Sequence, residues 1–389
     1  MQTSQIRGLL LAASCTTSAL ASTAALAQEA TAAPEVIAPP ARADGNRETD
    51  DAYAAVWDAL NLHEGEDSQL RLVGRLHLDN YVLRSDVGDA SDFVARRARL
   101  GAKGRLGKFE AHVEAEFDLE GGQLYSRLTD AYVAWKFSDA ARVGLGKQSV
   151  KFTLDGATSS NELITIDRSN VANNFWFPDE YVPGVSFSGK SGKWSYNSGV
   201  FSGGRKNREF GEFDAGTFVL ASIGRDLGAA LGFGKALLRA DYVYNEPDAG
   251  SDFTRSFENI GAFVFILDSE RWGFSGDLVA GDGFRGQSDA VGGTATPWLK
   301  LTDDLQLVGR YTYLKSEEAN GVRLGRYENV VSSGRGDLYE ELYGGLNYYI
   351  YGHKLKLQTG LTFADLNDSA GDGGAFDGWT WTTAFRVSW

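Results

Sequence analysis

Residues Phe109 to Leu119 read FEAHVEAEFDL. Phe109, Ala111, Val113, Ala115, Phe117 and Leu119 alternate without exception with Glu110, His112, Glu114, Glu116 and Asp118. A period of two makes one face of a β-strand apolar and the other hydrophilic. Working outward, Leu70, Leu72, Leu76 and Leu78 alternate in the same way with Arg71, Arg75, His77 and Asp79. The chain ends on Trp381, Thr383, Phe385, Val387 and Trp389 in the same rhythm.

About sixteen such segments run from Gln69 to Trp389, from near 69–83, 92–103 and 109–119 to near 353–364 and 379–389. Every second connection is tight, as at Ser138-Asp139-Ala140, Ser191-Gly192, Asp268-Ser269-Glu270, Asp303-Asp304 and Gly352-His353. Those between are mostly longer and polar, notably 154–181, 202–216, 317–336 and 366–377. A soluble sandwich has no reason to sort its connections by length, whereas a barrel crossing an outer membrane has short periplasmic turns and longer external loops. The expected fold is therefore all-β, a transmembrane antiparallel barrel of about sixteen strands. Aromatic residues near strand ends (Trp135, Phe137, Trp272, Tyr348, Tyr349, Tyr351, Trp379) are expected at its two rims. A mean hydropathy of −0.27 excludes a bundle of apolar membrane helices but not such a barrel. Sixteen strands leave an open aqueous lumen.

Arg7 is the only charge in the first 27 residues; an apolar run, Gly8 to Ala13, and Ala25-Leu26-Ala27 before Gln28 complete the layout of a cleaved export signal over 1–27. Its removal would leave 362 residues and move the net charge from −14 to −15. Residues 28–68 read as a periplasmic linker rich in Ala, Pro and charge, with a possible short helix over Asp51–His63. The barrel domain occupies 69–389. Cys15 is the only cysteine and lies in the signal, so a disulfide framework and a cysteine nucleophile are excluded from the remainder. The strongly acidic balance argues against a nucleic-acid partner.

If the apolar set meets lipid, the alternate set lines water. Arg71, Arg75, Arg97, Arg99, Lys103, Arg239 and Arg310 then point inward, and so do Glu110, Glu114, Glu116 and Asp118. Guanidinium groups in a narrow pore attract anions and offer forked donors to phosphate or carboxylate oxygens. The neighbouring carboxylates balance them, so the residues leave both signs of selectivity open. The long connection 154–181 is placed to fold inward and narrow the channel, with Asp167, Arg168 and Ser169 near its eyelet.

Other motifs carry no chemistry. Gly184–Ser191, GVSFSGKS, fits a phosphate-cradling loop formally, but it is itself a strand and no helix follows. Asp365, Asn367, Asp368 and Asp372 crowd one loop without the spacing of a calcium site. The histidines, His63, His77, His112 and His353, are scattered, so no metal, cofactor or catalytic residue is expected.

RRARLG at Arg96–Gly101 with the KFEAHVEAEFD strand, LTDAYVAW at Leu128–Trp135, VGLGKQSVKF at Val143–Phe152 and TSSNELITIDRS at Thr158–Ser169 resemble the phosphate-selective porins O and P of Gram-negative outer membranes. LYGGLNYYIYGHKLKLQTGL at Leu342–Leu361 is similar to that family's penultimate hairpin. The resemblance implies a homotrimer of sixteen-stranded barrels in outer-membrane lipid, each a water-filled pore for small hydrophilic solutes, with Arg97, Arg99 and Arg168 near the pore. Two other readings stay open. One is a sugar or oligomer uptake channel with Phe175, Trp176 and Phe177 as a sliding surface. The other is an outer-membrane hydrolase built around His112.

Overall fold

A computed structural model describes residues 48–178, 180–204, 209–248, 250 and 255–389. The expected export signal and the first half of the linker, 28–47, lie outside the described residues. Sixteen strands form the wall: β1 (Ser68–Ser85), β2 (Asp89–Leu106), β3 (Phe109–Phe117), β4 (Tyr125–Ser138), β5 (Ala141–Ser149), β6 (Tyr181–Ser191), β7 (Trp194–Ser202) and β8 (Thr217–Asp226). They continue as β9 (Lys235–Asn245), β10 (Phe257–Asp268), β11 (Trp272–Gly283), β12 (Ala290–Lys300), β13 (Leu305–Ser316), β14 (Leu338–Tyr351), β15 (Leu355–Asn367) and β16 (Phe376–Ser388). Each pairs antiparallel with its neighbours in the chain. The sheet closes where β16 pairs with β1, from Gly378 opposite Ser85 to Ser388 opposite Arg75. Gly184–Ser191 is indeed part of β6.

The alternation becomes two faces. Leu100, Phe109, Val113, Val133, Leu145, Leu278, Leu342, Phe363 and Trp381 are 49–60% exposed on the outside. So large an apolar surface is stable only against lipid. The other face buries His77, Arg97, Arg99, Glu114, Arg310, Asn347, Lys356 and Arg386. Trp135, Phe137, Trp272, Tyr348 and Trp379 face outward as expected. Tyr349 does not: it follows Tyr348, so it points inward and donates to Gln306 Oε1 at 2.6 Å.

Ahead of the barrel, helix α1 (Glu48–Asp58) replaces the helix expected over 51–63, and Asn61–Glu64 pairs instead with Gln69–Arg71 of β1. The reason is an unmet edge. β16 reaches β1 only as far as Arg75, so the first residues of β1 need another partner. Trp57 donates from Nε1 to Ser388 O at 2.5 Å and its ring lies 5.1 Å from that of Tyr351.

Gly101 marks a close approach between strands. A Cβ there would lie 2.2 Å from Val113 O on β3, a backbone atom that cannot swing aside. Gly101→Ala is expected to destabilise the barrel by about 1–3 kcal/mol, read as a lower denaturant midpoint in detergent; an unchanged midpoint would show that β2 and β3 can part without loss.

Candidate functional site

The connection from β5 to β6, residues 150–180, runs inside the barrel. Two short helices, α2 (Leu154–Ala157) and α3 (Asn170–Phe175), shape it. Ser169 caps α3 by accepting from Ala172 N at 3.4 Å. Thr153, a β-branched residue, holds a left-handed φ of 62° at the start of α2. Its carbonyl is gripped by Arg239 Nη2 at 2.7 Å, and the next amide, Leu154 N, donates to Asp277 at 2.9 Å.

Most of the segment has no sheet partner, and its carbonyls must still be satisfied away from bulk water. Inward-facing cations and amides of the wall do this. Lys356 Nζ donates to Leu163 O at 2.6 Å, Asn347 Nδ2 to Ile164 O at 2.7 Å, Arg386 Nη2 to Ile166 O at 3.3 Å and Arg310 Nη1 to Asp167 O at 2.8 Å. Arg75 Nη1 reaches Ser160 Oγ at 2.8 Å, and His77 Nε2 lies 3.2 Å from Asn161 Oδ1.

The Asp167-Arg168-Ser169 triplet is the clasp of this loop. Arg168 donates to Asp155 O, Thr158 O and Glu180 at 2.9, 3.2 and 3.2 Å, and its guanidinium sits 4.7 Å over the Trp176 ring. Asp167 receives Arg96 at 3.4 Å and Arg326 at 2.8 Å. Glu180 is shared by Arg97 at 3.3 Å, Arg168 at 3.2 Å and Arg99 at 3.9 Å. Burial alone would raise the Glu180 carboxyl, but Arg168, Arg97 and Arg99 hold it well below the usual range. Burial is likewise overcome at Asp167 by Arg96 and Arg326. Carboxyls lowered on folding stabilise above their unfolded value of about 4, and that stabilisation is lost only as pH falls well below it.

A second loop meets the first. Asn174 and Arg323 exchange two hydrogen bonds, Nδ2 to Arg323 O at 3.1 Å and Arg323 N to Oδ1 at 2.9 Å, and Asn170 Nδ2 reaches the same carbonyl at 2.8 Å. Between these loops and the wall lies a cavity of about 550 Å³. Arg96, Arg168, Arg255, Arg310, Arg323, Arg326 and Arg335 line it, against Asp167, Glu180, Glu328 and Glu341.

The residues expected inside divide into groups. Arg168 and Arg310 line the cavity, Arg310 also holding Glu341 at 2.8 Å. Arg97 and Arg99, 4% and 2% exposed, lie beneath the loop, Arg99 clamped to Glu116 at 3.2 Å and to Tyr181 Oη at 2.5 Å. Arg75 pairs with Glu114 at 3.4 Å, Arg239 with Asp241 at 2.8 Å, and Glu110 with Arg142 at 2.8 Å. Arg71 and Lys103 sit opposite one another on β1 and β2, away from the cavity. Asp118 falls beyond the end of β3, where its carboxylate accepts from Glu120 N at 2.7 Å, so it does not belong to the wall. Asp368, in the acidic loop, fills both oxygens with the amides of Ala370, Gly371, Asp372, Gly373 and Gly374. Phe175, Trp176 and Phe177 are at most 4% exposed, Phe175 stacked on Phe257 at 5.0 Å and Phe177 on Phe218 at 4.7 Å; all three pack into the core, and Trp176 and Phe177 also line the cavity.

Strict alternation missed Arg96. The register passes from His77 opposite Arg97 to Leu78 opposite Ala95, so a bulge lets both Arg96 and Arg97 turn inward. Arg255, Arg323, Arg326 and Arg335 were missed because they sit on loops, where no period assigns a face.

Residues 70–257 match the sequence profile of the family described as phosphate-selective porin O and P. This bears out the resemblance drawn from RRARLG onward, although the match stops short of the Leu342–Leu361 hairpin. No curated protein matches the sequence significantly. Among solved structures, the anion-selective porin from Comamonas acidovorans is 12% identical with a TM-score of 0.58, covering 83% of this chain and 100% of that one. Salmonella typhi OmpF, solved with daunomycin, is 12% identical at a TM-score of 0.60, covering 84% and 99%. The outer-membrane channel DcaP of Acinetobacter baumannii is 14% identical at 0.53, covering 84% and 99%. At these identities the shared property is the fold, and the class is that of outer-membrane porin barrels.

Glu180→Gln is expected to leave Arg97, Arg99 and Arg168 without their common carboxylate and to loosen the loop by about 3–5 kcal/mol. Faster trypsin cleavage after Arg168 in the folded barrel is the readout. Cleavage at the wild-type rate would remove Glu180 from its anchoring role.

Proposed function

We propose that the chain is a diffusion porin that passes small hydrophilic solutes through the outer membrane and prefers anions, phosphate among them. The observation that carries the preference is the cavity between the loops. Seven arginines against four carboxylates give it a formal excess of three positive charges, in a protein whose net charge is −14. A field of that sign in a narrow aqueous passage raises the local anion concentration and repels cations. The family of residues 70–257 and the open sixteen-stranded barrel support a channel without covalent chemistry. Export through a cleaved signal and assembly as a homotrimer belong to the same proposal, the trimer resting on the family resemblance alone.

Three cavity arginines carry most of the preference. Arg255, Arg323 and Arg335 make no ion pair with a carboxylate among the described residues, and Arg255 Nε and Arg323 Nη1 are buried without a hydrogen-bond partner there. Burial, then Arg335, lowers the Arg255 guanidinium to about 10, and burial, Arg255 and Arg335 lower that of Arg323 to about 9. Both stay charged at neutral pH, and an anion between them relieves their mutual repulsion. Replacing all three by Gln is expected to lower chloride over potassium permeability several-fold without opening the barrel. The reversal potential in a planar bilayer under a KCl gradient measures this, and an unchanged value would relocate the selective charges.

Burial and the neighbouring Glu341 raise the Glu328 carboxyl to about 7. It therefore protonates as pH falls from about 8 to about 6, and the cavity excess grows from three charges toward four. Anion preference should rise over that interval in the wild type and stay flat in Glu328→Gln. Equal pH dependence in both proteins would assign the titration to another group.

A further inference from the structure

On the opposite side of Arg75 from the loop, the inward faces of β3 and β4 hold a group of side chains that neither loop anchoring nor anion attraction uses. His112 and Glu114 are two residues apart on β3 and share its inner face. Asp130 of β4 pairs directly with Glu114, and the His112 ring is held edge-on by Tyr132 at 5.6 Å. His112 Nδ1 lies 3.4 Å from Asp130 Oδ1, and Nε2 lies 3.7 Å from Glu114 Oε2. One ligand atom from each residue falls within 4.8 Å of the other two. His112, Glu114 and Asp130 are 5%, 1% and 7% exposed. The Nε2 atom of His112 is buried with no hydrogen-bond partner among the described residues. Buried polar atoms are rarely left so, and an orphan on the side of the ring that faces the Glu114 carboxylate needs an account.

We propose that His112, Glu114 and Asp130 form a binding site for one divalent transition-metal ion of the zinc type. An imidazole nitrogen and two carboxylate oxygens are three protein ligands of the kind that hold zinc with a fourth position left to water. Ligand atoms about 2.1 Å from a tetrahedral ion stand roughly 3.4 Å apart, so three atoms already within 4.8 Å of one another need only a modest side-chain adjustment to close on one ion through a single imidazole nitrogen. Imidazole in the set selects zinc, copper or nickel over calcium and magnesium. Two cations temper the affinity. Arg75 donates to both Glu114 oxygens, but at 3.4 Å, and keeps Ser160 Oγ at 2.8 Å as an alternative partner. Lys103 is registered opposite His112 on β2.

The site escapes a reading of the sequence because it needs the pairing of β3 with β4. His112 and Glu114 alone are two residues of an alternating strand, and Asp130 enters only through the register.

The test is a zinc titration of the refolded, chelator-treated barrel in detergent, followed by metal analysis after desalting. One zinc per chain is expected in the wild type, absent in His112→Gln and held about tenfold or more weakly in Asp130→Asn. The affinity should fall as the solution is made more acidic, because protons compete with the metal for its ligands. X-ray absorption of the zinc-loaded wild type should show one imidazole nitrogen with oxygen neighbours, and it decides the matter even if a variant fails to fold. Stoichiometric zinc in His112→Gln, coordination by several imidazoles or by none, or no zinc on the wild type would each overturn the assignment. The titration reads metal alone, so its outcome is independent of whether the barrel conducts anions.

Discussion

Everything in this molecule depends on the pairing of its last strand with its first. A wall facing lipid can leave no backbone amide or carbonyl unpaired, because hydrocarbon offers no substitute for water. Phe376–Ser388 against Ser68–Ser85 removes the two open edges, and the alternation along each strand then has only one consistent outcome. Apolar residues go out and polar ones in. Where closure falls short, at the start of β1, the chain supplies Asn61–Glu64 as a local patch and secures it with Trp57 on Ser388.

The enclosed space imposes a second demand, on the loop that enters it. Residues 150–180 bring a mostly unpaired backbone into a passage lined by charged side chains, and each solves the other's difficulty. Wall cations donate to loop carbonyls at Leu163, Ile166 and Asp167, while Asp167 and Glu180 neutralise the arginines around them. Many of the arginines inside are therefore structural. On the proposed reading, what remains for a passing solute is the surplus on the facing loops, at Arg255, Arg323 and Arg335. An acidic protein can in this way present a positive cavity, because the lining of that cavity holds more arginines than carboxylates whatever the balance of the whole chain.

The wall was legible in the sequence because a period of two survives any tertiary context once one side is lipid. FEAHVEAEFDL and the alternation of tight and long connections were sufficient to give strand number and orientation of faces. The departures have local causes. A bulge at Arg96 added an inward arginine that counting by twos sends outward, and the end of β3 at Phe117 released Asp118 to a turn. Tyr349 was grouped with its neighbours at the rim, although adjacent residues of a strand face opposite ways. The loop contribution was the least legible part. The sequence placed Asp167 and Arg168 near the eyelet, and both line the cavity, but their second use, clasping the loop, was not legible; Arg323 and Arg335 carry no signal until two loops, far apart in the chain, are seen to face one cavity.

The anchors of the inner loop come from both ends of the chain. Arg75 belongs to the first barrel strand and Arg386 to the last, and both hold residues 160–166. Before those strands meet, the loop has half a binding site and no enclosed space to enter. Its seating is thus a late event in assembly, following closure, and the long sequence separation of its contacts makes that step intrinsically slow. A nascent barrel would pass through a wide-bored stage before it acquires its throat, so the mature bore is a product of folding order as much as of strand number.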